Sequence, residues 1–321
     1  MNESSMPDVL FIKTSSLGDV IHHMPALTEA RARRPDTRFA WVVEEAFAPL
    51  VRLHPAIDQA IPVAGRQWRA APYSAAAWRN IAALWRAVRA RSFDAVIDTQ
   101  GLFFKSALIA RFARGRRHGY DAQSVREWPA SLLYDVRHPV AWNQHAIARN
   151  RLLTGHALDY TPAGAPDFGL DRARLAEPGA SPYAVLLHAT ARPSKLWPED
   201  RWRLLAAALA TDIDLVIPFG TDVERARAER IAAVTSRARV PERAPLDRMA
   251  RLIAGAAFVV GVDTGLLHVA AALGVPLVAI FAASEPGLTG PVGAGPIAVV
   301  GGPGAPPSAA EVTAAVGRLL R

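Results

Sequence analysis

The sequence predicts an α/β protein of two domains, each built around a parallel sheet. Short β-branched, apolar runs alternate with helix-forming segments along the whole chain, which is the pattern of strands joined by crossover helices. A stretch dense in proline and glycine, residues 160–182, interrupts that alternation near the middle. At 321 residues the chain also exceeds one average domain.

In chain order, residues 9–13 read as a first strand and 14–19 (TSSLGD) as the loop after it. One helix is expected over 20–33, with Pro25 near its start. Strands follow at 39–43, 58–63 and 95–99. Between the last two, residues 74–91 read as a helix with Trp78, Ile81, Trp85 and Val88 on one face and Arg79, Arg86 and Arg89 on the next. Gln100-Gly101 closes the fourth strand, at the edge where open α/β sheets bind ligands. Pro162, Gly164, Pro166, Gly169, Pro178, Gly179 and Pro182 then mark a linker over 161–182. The domains are therefore expected at 7–160 and 183–306, with a C-terminal helix in 307–321.

The second domain opens with a strand at 183–189 that runs into a polar loop, 190–195. Trp197-Pro198 precedes a helix at 202–210, residues 215–219 form a strand, and a charged helix starts near Asp222. Residues 258–262 and 278–281 supply two more strands, and Ser308-x-x-Glu311 has capping-box spacing ahead of the last helix. The most informative stretch is FVVGVDTGLLHVAAALGVP, residues 258–276. A buried strand ends there in Asp263-Thr264-Gly265, and a helix resumes at Leu266. The first N–H groups of such a helix have no partner within it, and with the helix dipole they suit a phosphate. Asp263 reads equally as a simple cap. His268 lies one turn in, within reach of the same ligand.

Apolar residues make up 51% and charged residues 21%, so the chain is globular. The absence of cysteine excludes disulfides and thiolate metal sites and fits a reducing compartment. The first residues do not resemble a signal peptide, and the apolar run at 254–283 carries Asp263, His268, Gly274 and Pro276 in its middle. A soluble strand–helix–strand unit fits that run better than a membrane span. The net charge of +8 is uneven. Residues 1–160 hold 21 Lys and Arg against 14 Asp and Glu, and residues 161–321 hold 16 against 15. The first half is thus the one expected to meet an anionic partner, whether nucleic acid, membrane or phosphorylated substrate. No nucleic-acid-binding motif appears.

Asp19, at the head of the first helix, reads as a favourable charge on the dipole or as a carboxylate placed to take a proton from a hydroxyl. Lys195 reads as an exposed lysine or as a cation beside the second domain's loop. Glu224 lies where acids hold a ribose hydroxyl, and also where helices are simply solvated. Arg66, Arg69, Arg116, Arg117 and Arg126 are either plain surface or contacts for an anion. Asp212-Ile213-Asp214 imitates a metal-binding DxD but reads as a turn before a strand. His22 and His23 are adjacent on a helix and point apart, against a shared metal.

Taken together, VLFIKTSSLGDVIHHMPAL (9–27), HATARPSKLWP (188–198) and VDTGLLHVAAALGVP (262–276) resemble the lipopolysaccharide heptosyltransferases of glycosyltransferase family 9. WVVEE (41–45), DTQGL (98–102) and REWPASLLY (126–134) extend the likeness over nearly the whole chain. The resemblance implies a GT-B fold, two Rossmann-like domains facing across a cleft. It implies ADP-L-glycero-β-D-manno-heptose as donor in the C-terminal domain, the inner Kdo of Kdo2-lipid A as acceptor in the N-terminal domain, and inversion at the transferred sugar. By residue, Asp19 matches the general base and Lys13 its neighbour. Thr190, Lys195, Glu224, Asp263, Thr264, Gly265, Leu266 and His268 match donor contacts, and Arg66, Arg69, Arg126 and Gln100 the acceptor side. No metal and no cofactor are implied, and the enzyme is expected on the cytoplasmic face of the inner membrane, held peripherally by its anionic surface. Ala191 stands where relatives often carry a second threonine, and Gln67 where a second arginine is common. KTSSLGD and the KxWP spacing favour the type that adds the first heptose over a type II enzyme adding a later one. A sugar-nucleotide epimerase would share the fold but have no use for a basic first domain.

Overall fold

The computed structural model describes residues 6–65, 68, 73–179, 181–283 and 286–321. The chain divides into two compact units, Met1–Gly169 and Leu170–Arg321. In the first unit, β1 (Asp8–Ile12), β2 (Arg38–Glu44), β3 (Gln59–Val63), β4 (Ser92–Asp98), β5 (Arg114–Tyr120) and β6 (Val136–His138) form one parallel sheet in the order β3-β2-β1-β4-β5-β6. In the second, β7 (Tyr183–Leu187), β8 (Asp214–Val216), β9 (Ala238–Arg239), β10 (Phe258–Val262), β11 (Leu277–Phe281) and β12 (Ile297–Gly301) order as β12-β11-β10-β7-β8-β9, again all parallel. Each unit therefore repeats one doubly wound scheme: its first strand lies beside its fourth, and the chain winds outward in opposite directions from that pair.

The central strands are apolar throughout because helices cover both faces. All five residues of β1, β10 and β11 are buried. In the second unit Trp197, Trp202, Leu186, Val260, Ile280 and Val316 belong to one core cluster. The apolar run at 254–283 resolves into β10, the helix Gly265–Ala272 and β11.

Several elements depart from the sequence expectation for identifiable reasons. The helix expected over 20–33 is two helices, Leu17–Ile21 and Met24–Arg33. Pro25 lies in the first turn of the second, where its missing N–H needs no helical partner. On the helix Ala75–Arg89 the buried residues are Ala77, Leu84 and Val88, while Trp78 stands 63% exposed. The apolar stripe runs one position away from that tryptophan. Strand β5, RGRRHGY, carries no apolar alternation, since its first half is largely exposed. β9 has only two residues, β12 is a half-exposed outer strand, and the helix Leu246–Gly255 follows the proline-punctuated stretch 241–245. Residues 170–179 of the expected linker fall in the second unit. The short helix Arg172–Leu175 is capped by Asp171, and the Arg172 guanidinium donates to the Ala254 and Ala256 carbonyls at 2.9 and 2.8 Å.

Two glycines are demanded by packing. Gly261 in β10 lies so close to its neighbours that a Cβ there would stand 2.9 Å from Leu187 Cβ and 3.0 Å from Leu267 Cδ1. Gly101, after β4, has φ +68°, and a Cβ would meet Val125 Cγ2 at 2.8 Å and the Arg126 backbone nitrogen at 3.3 Å. A side chain there carries left-handed strain of about 1–2 kcal/mol and pushes the 125–126 backbone away. Gly101→Ala is expected to lower the thermal midpoint by several degrees, and a midpoint equal to wild type would show that the turn relaxes freely.

Candidate active site

Both units present polar loops at the carboxyl ends of their central strand pairs, the place where the order reversal parts neighbouring loops and opens a crevice. In the first unit β1 leads into Lys13–Asp19, and the adjacent β4 ends at Asp98 and leads into Gln100-Gly101. Asp98 is fully buried. Its Oδ1 accepts the N–H groups of Gln100 and Gly101 at 2.9 and 3.1 Å, and its Oδ2 accepts the Tyr134 hydroxyl at 2.7 Å. Burial pushes the Asp98 carboxyl up, against those hydrogen bonds.

Gln100 in turn holds the loop after β1. Its Oε1 accepts Thr14 N at 2.6 Å and Thr14 Oγ1 at 2.8 Å, and its Nε2 donates to the Ser15 carbonyl at 2.9 Å. Both ends of the amide are thereby engaged with the protein. Lys105 donates to the Ser15 hydroxyl from the other side.

Asp19 sits in the first turn of Leu17–Ile21. Its Oδ2 accepts the Ser16 N–H at 2.8 Å and the Ser16 hydroxyl at 2.9 Å, while Oδ1 has no hydrogen-bond partner among the described residues. The carboxylate is thus a cap with one oxygen to spare. Burial pushes its pKa up, but the Lys13 ammonium and the two Ser16 bonds outweigh that and hold the carboxyl below its ordinary value of 3.8. Lys13 is buried, and its ammonium donates to the Thr99 carbonyl at 2.8 Å, with Asn150 Oδ1 at 3.5 Å. Burial draws its pKa below 10.5, opposed by Asp19 and Asp98 and assisted by Arg126 and Arg149. Arg126 itself is exposed. Arg66 and Arg69, with Gln67 between them, lie outside the described residues.

In the second unit the helix Gly265–Ala272 starts directly after β10, with Thr264 as its N-cap in extended geometry and no side-chain bond to the helix. The loop after the adjacent β7 reaches this start from the side. Thr190 Oγ1 donates to the Asp263 carbonyl at 2.9 Å, and the Lys195 ammonium pairs with the Asp263 carboxylate. Thr264, Gly265 and Leu266 are half-exposed, whereas His268 is buried. Glu224 is the third residue of a capping box on Asp222–Ala232. Its Oε2 accepts Gly220 N at 2.7 Å and Thr221 N at 3.1 Å. Asp214 pairs with Arg237 at 2.9 Å at the start of β8, the end of the strand away from these loops. Among the described residues no group of three or more His, Asp or Glu is arranged to hold a metal.

Three buried polar residues near these loops escaped the sequence reading as individual residues. Asn150 comes from the helix Ala146–Leu158, 137 positions from Lys13, and also donates to the His22 carbonyl at 3.0 Å. Asp98 reads in sequence as a strand end rather than as the anchor of a turn. His188 directly follows β7 and is completely buried; burial and then the Arg227 charge draw its imidazole down to about 4. No spacing signal marks Asn150, because only the fold brings its helix to β1.

Two doubly wound units, one carrying a buried lysine–carboxylate loop and the other an open helix start flanked by a lysine, define a two-domain transferase of the GT-B class. The chain belongs to glycosyltransferase family 9, whose model, described as glycosyltransferase family 9 (heptosyltransferase), matches residues 81–312. It is 46% identical over 295 residues to lipopolysaccharide heptosyltransferase 1 of Pseudomonas aeruginosa strain PAO1, covering 89% of this chain and 81% of that one. Among solved structures it resembles E. coli heptosyltransferase WaaC with ADP, at a TM-score of 0.91 and 40% identity, covering 97% of this chain and 99% of that one. It also resembles the same enzyme with ADP-2-deoxy-2-fluoro heptose, at a TM-score of 0.89 and 39% identity over the same shares of the two chains.

The electrostatics of Asp19 give a stability prediction. A carboxyl whose pKa is lower in the fold than in the unfolded chain contributes stability that is complete above the unfolded value and is lost as pH falls through the folded value. Asp19→Asn is therefore expected to melt below wild type at neutral pH, with the gap closing only at pH below about 3.8. A gap that does not change with pH would mean the carboxylate charge contributes nothing to the fold.

Proposed function

We propose that this chain is an inverting heptosyltransferase of the first-heptose type, moving L-glycero-D-manno-heptose from ADP-heptose to the inner Kdo of Kdo2-lipid A. The observation that carries this is the pairing of two different sites on two copies of one topology. One has the ionised Asp19 beside Lys13; the other has an open helix start flanked by Lys195. The likeness to heptosyltransferase 1 supports the donor and the reaction class. The excess of basic residues in the first half supports an acceptor rich in carboxylates and phosphates.

The roles follow from the chemistry. The acceptor hydroxyl oxygen attacks the anomeric carbon, the bond from that carbon to the diphosphate oxygen breaks, and Asp19 takes the hydroxyl proton on its unoccupied Oδ1. One displacement inverts the centre, so no nucleophilic side chain is needed. Lys13 keeps Asp19 ionised and so ready to accept. Gln100 positions the loop, while Arg126, with Arg66 and Arg69, serves acceptor charges. The departing ADP gains negative charge, which the N–H groups at Thr264–Leu266 and the Lys195 ammonium stabilise. Thr190 fixes the Asp263 turn, His268 lines its base, and Glu224 serves the nucleoside end. The Lys195–Asp263 pair matters here, because an uncompensated carboxylate beside a diphosphate would repel it.

Asp19→Asn is expected to lower turnover about 10²–10⁴-fold while ADP-heptose binding stays near wild type. Turnover within a few-fold of wild type would reduce Asp19 to a cap. Lys195→Ala is expected to weaken ADP-heptose by about tenfold or more, by removing a cation and exposing the Asp263 charge together. Calorimetry on the variant checks this, and unchanged affinity would place the diphosphate elsewhere.

We further propose that transfer needs no divalent metal. The one DxD, Asp212-Ile213-Asp214, precedes its strand, and Asp214 is already paired with Arg237. Single-turnover transfer to a soluble, delipidated acceptor in excess EDTA should proceed at the rate seen with Mg²⁺. A collapse restored by Mg²⁺ would overturn this account of the leaving group.

A further inference from the structure

We propose that one face of the first unit, formed by the helical turns Phe103–Ala107 and Trp128–Leu133, docks on an anionic phospholipid bilayer. Phe104, Trp128 and Leu132 would enter the interfacial layer. The proposal deepens the preceding reading, since it rests on the first unit serving a lipid-anchored acceptor.

The two turns pack against each other and are tied by the Phe103 N–H donating to Glu127 Oε2 at 2.7 Å. Their outward side chains are large and apolar: Phe104 is 83%, Trp128 64% and Leu132 59% exposed. Exposed apolar residues scattered singly need no explanation, but a cluster on adjoining turns does. Its distribution in the molecule is also uneven. The exposed aromatic residues among those described, Tyr73, Trp78, Phe104, Trp128 and Trp142, all belong to the first unit. The exposed large apolar residues of the second unit are aliphatic. Aromatic rings with arginines around them are the composition of a surface that sits at a membrane–water boundary.

The charges around the turns agree with a lipid surface. Arg111, Arg126 and Arg137 are exposed, and Arg137 Nε donates to the Ser131 carbonyl at 2.9 Å, which seats its guanidinium on the Trp128–Leu133 turn. Of the nearby acids, Glu127 accepts from Phe103 and Asp135 pairs with Arg117. Three protruding side chains fall well short of the roughly 800 Å² per partner that a stable protein interface buries. A bilayer needs no such area, because each apolar side chain and each arginine adds its own increment.

The docking face is also linked to the reactive loop. The turn that points Phe104 outward points Lys105 inward, onto the Ser15 hydroxyl of the loop that carries Asp19. Leu102 O accepts both Ser106 N at 2.9 Å and Ala107 N at 3.0 Å, so the turn is wider than an α-helical one and presents neighbouring side chains to opposite sides. Seating the face on a bilayer would set the acceptor loop at a fixed depth above it.

The test is flotation of the full chain with phosphatidylglycerol–phosphatidylethanolamine vesicles that carry no acceptor, alongside phosphatidylcholine vesicles. Wild type should float with the anionic vesicles, less so at high salt. Phe104→Ser/Trp128→Ser/Leu132→Ser should bind them about tenfold more weakly or worse, and Phe104→Trp should bind as wild type. The triple variant should transfer heptose to a soluble, delipidated acceptor at the wild-type rate, which also shows that it is folded. Undiminished vesicle binding by the triple variant overturns the proposal. So does binding that appears only when the vesicles contain acceptor, or a loss of self-association with vesicle binding unchanged. Absence of transfer by wild type itself would count against the heptosyltransferase reading, while flotation would still decide the docking.

Discussion

Everything in this molecule hangs on the reversal of strand order at the centre of each sheet. Where β1 meets β4, and where β7 meets β10, the chain leaves two adjacent strands in opposite directions, and the loops at their carboxyl ends meet through polar contacts, Gln100 with Thr14 and Ser15 in one unit and Thr190 and Lys195 with Asp263 in the other. Polar side chains gather there, and those that are buried are held by hydrogen bonds. Lys13, Asp19 and Gln100 stand at one such point, and Thr190, Lys195 and Asp263 at the other. The parallel hydrogen-bonded pairs Ile12↔Asp98 and Leu187↔Gly261 fix how far apart the two loops start.

The two sites use that common geometry differently. In the first unit the loop is held by a relay of buried polar groups: Tyr134 to Asp98, Asp98 to the Gln100 turn, and Gln100 to Thr14 and Ser15. Each member is satisfied by the next, which is what makes a buried network rigid rather than costly. Lys13 lies inside that relay and has lost most of its water, so its charge depends on Asp19 and Asp98 nearby. The second unit has no comparable relay. It relies on backbone: an extended Thr264, a small Gly265 and the start of Gly265–Ala272, with Lys195 balancing Asp263. The rigid surroundings suit the base role proposed for Asp19, since a base has to be held in one orientation relative to a hydroxyl. The open helix start suits the proposed diphosphate site, since a diphosphate needs several converging donors and a helix start supplies them with one short element.

The sequence revealed the central strands because β1, β10 and β11 are buried on both faces and therefore read as continuous apolar runs. β5 and β9 were hidden for the opposite reason. β5 begins RGRR, since half of it faces water, and two residues of β9 are too few to carry any period. One helix was expected over 20–33 with Pro25 near its start, and Pro25 instead lies in the first turn of a second, separate helix. The strand-end turns were legible because small and polar residues, such as Gly265 and Asp19, interrupt the apolar runs there. Asn150 and Asp98 were not, because the hydrogen bonds they make reach neighbours brought by the fold. Gln100 shows both sides: its position at the end of β4 was readable, but that its amide holds the Thr14–Ser15 backbone follows only from the structure.

The division of labour proposed for the two units also fits where the surface is apolar. Under the proposed roles, a unit that handles a nucleotide sugar meets a small hydrophilic ligand and has no reason to expose rings, and the exposed large hydrophobic residues described in the second unit are aliphatic. A unit that serves an acceptor anchored in lipid meets a boundary between water and hydrocarbon. There an exposed Trp or Phe is stabilised by contact instead of being a liability, and an arginine beside it gains an anionic partner. The structural requirement is that such side chains be held by elements rigidly joined to the reactive loop. The Phe103–Ala107 turn meets it, because Glu127 ties it to the Trp128–Leu133 turn and Lys105 ties it to Ser15. The same short segment thereby gives the unit both an inward hydrogen bond to the Lys13–Asp19 loop and an outward ring.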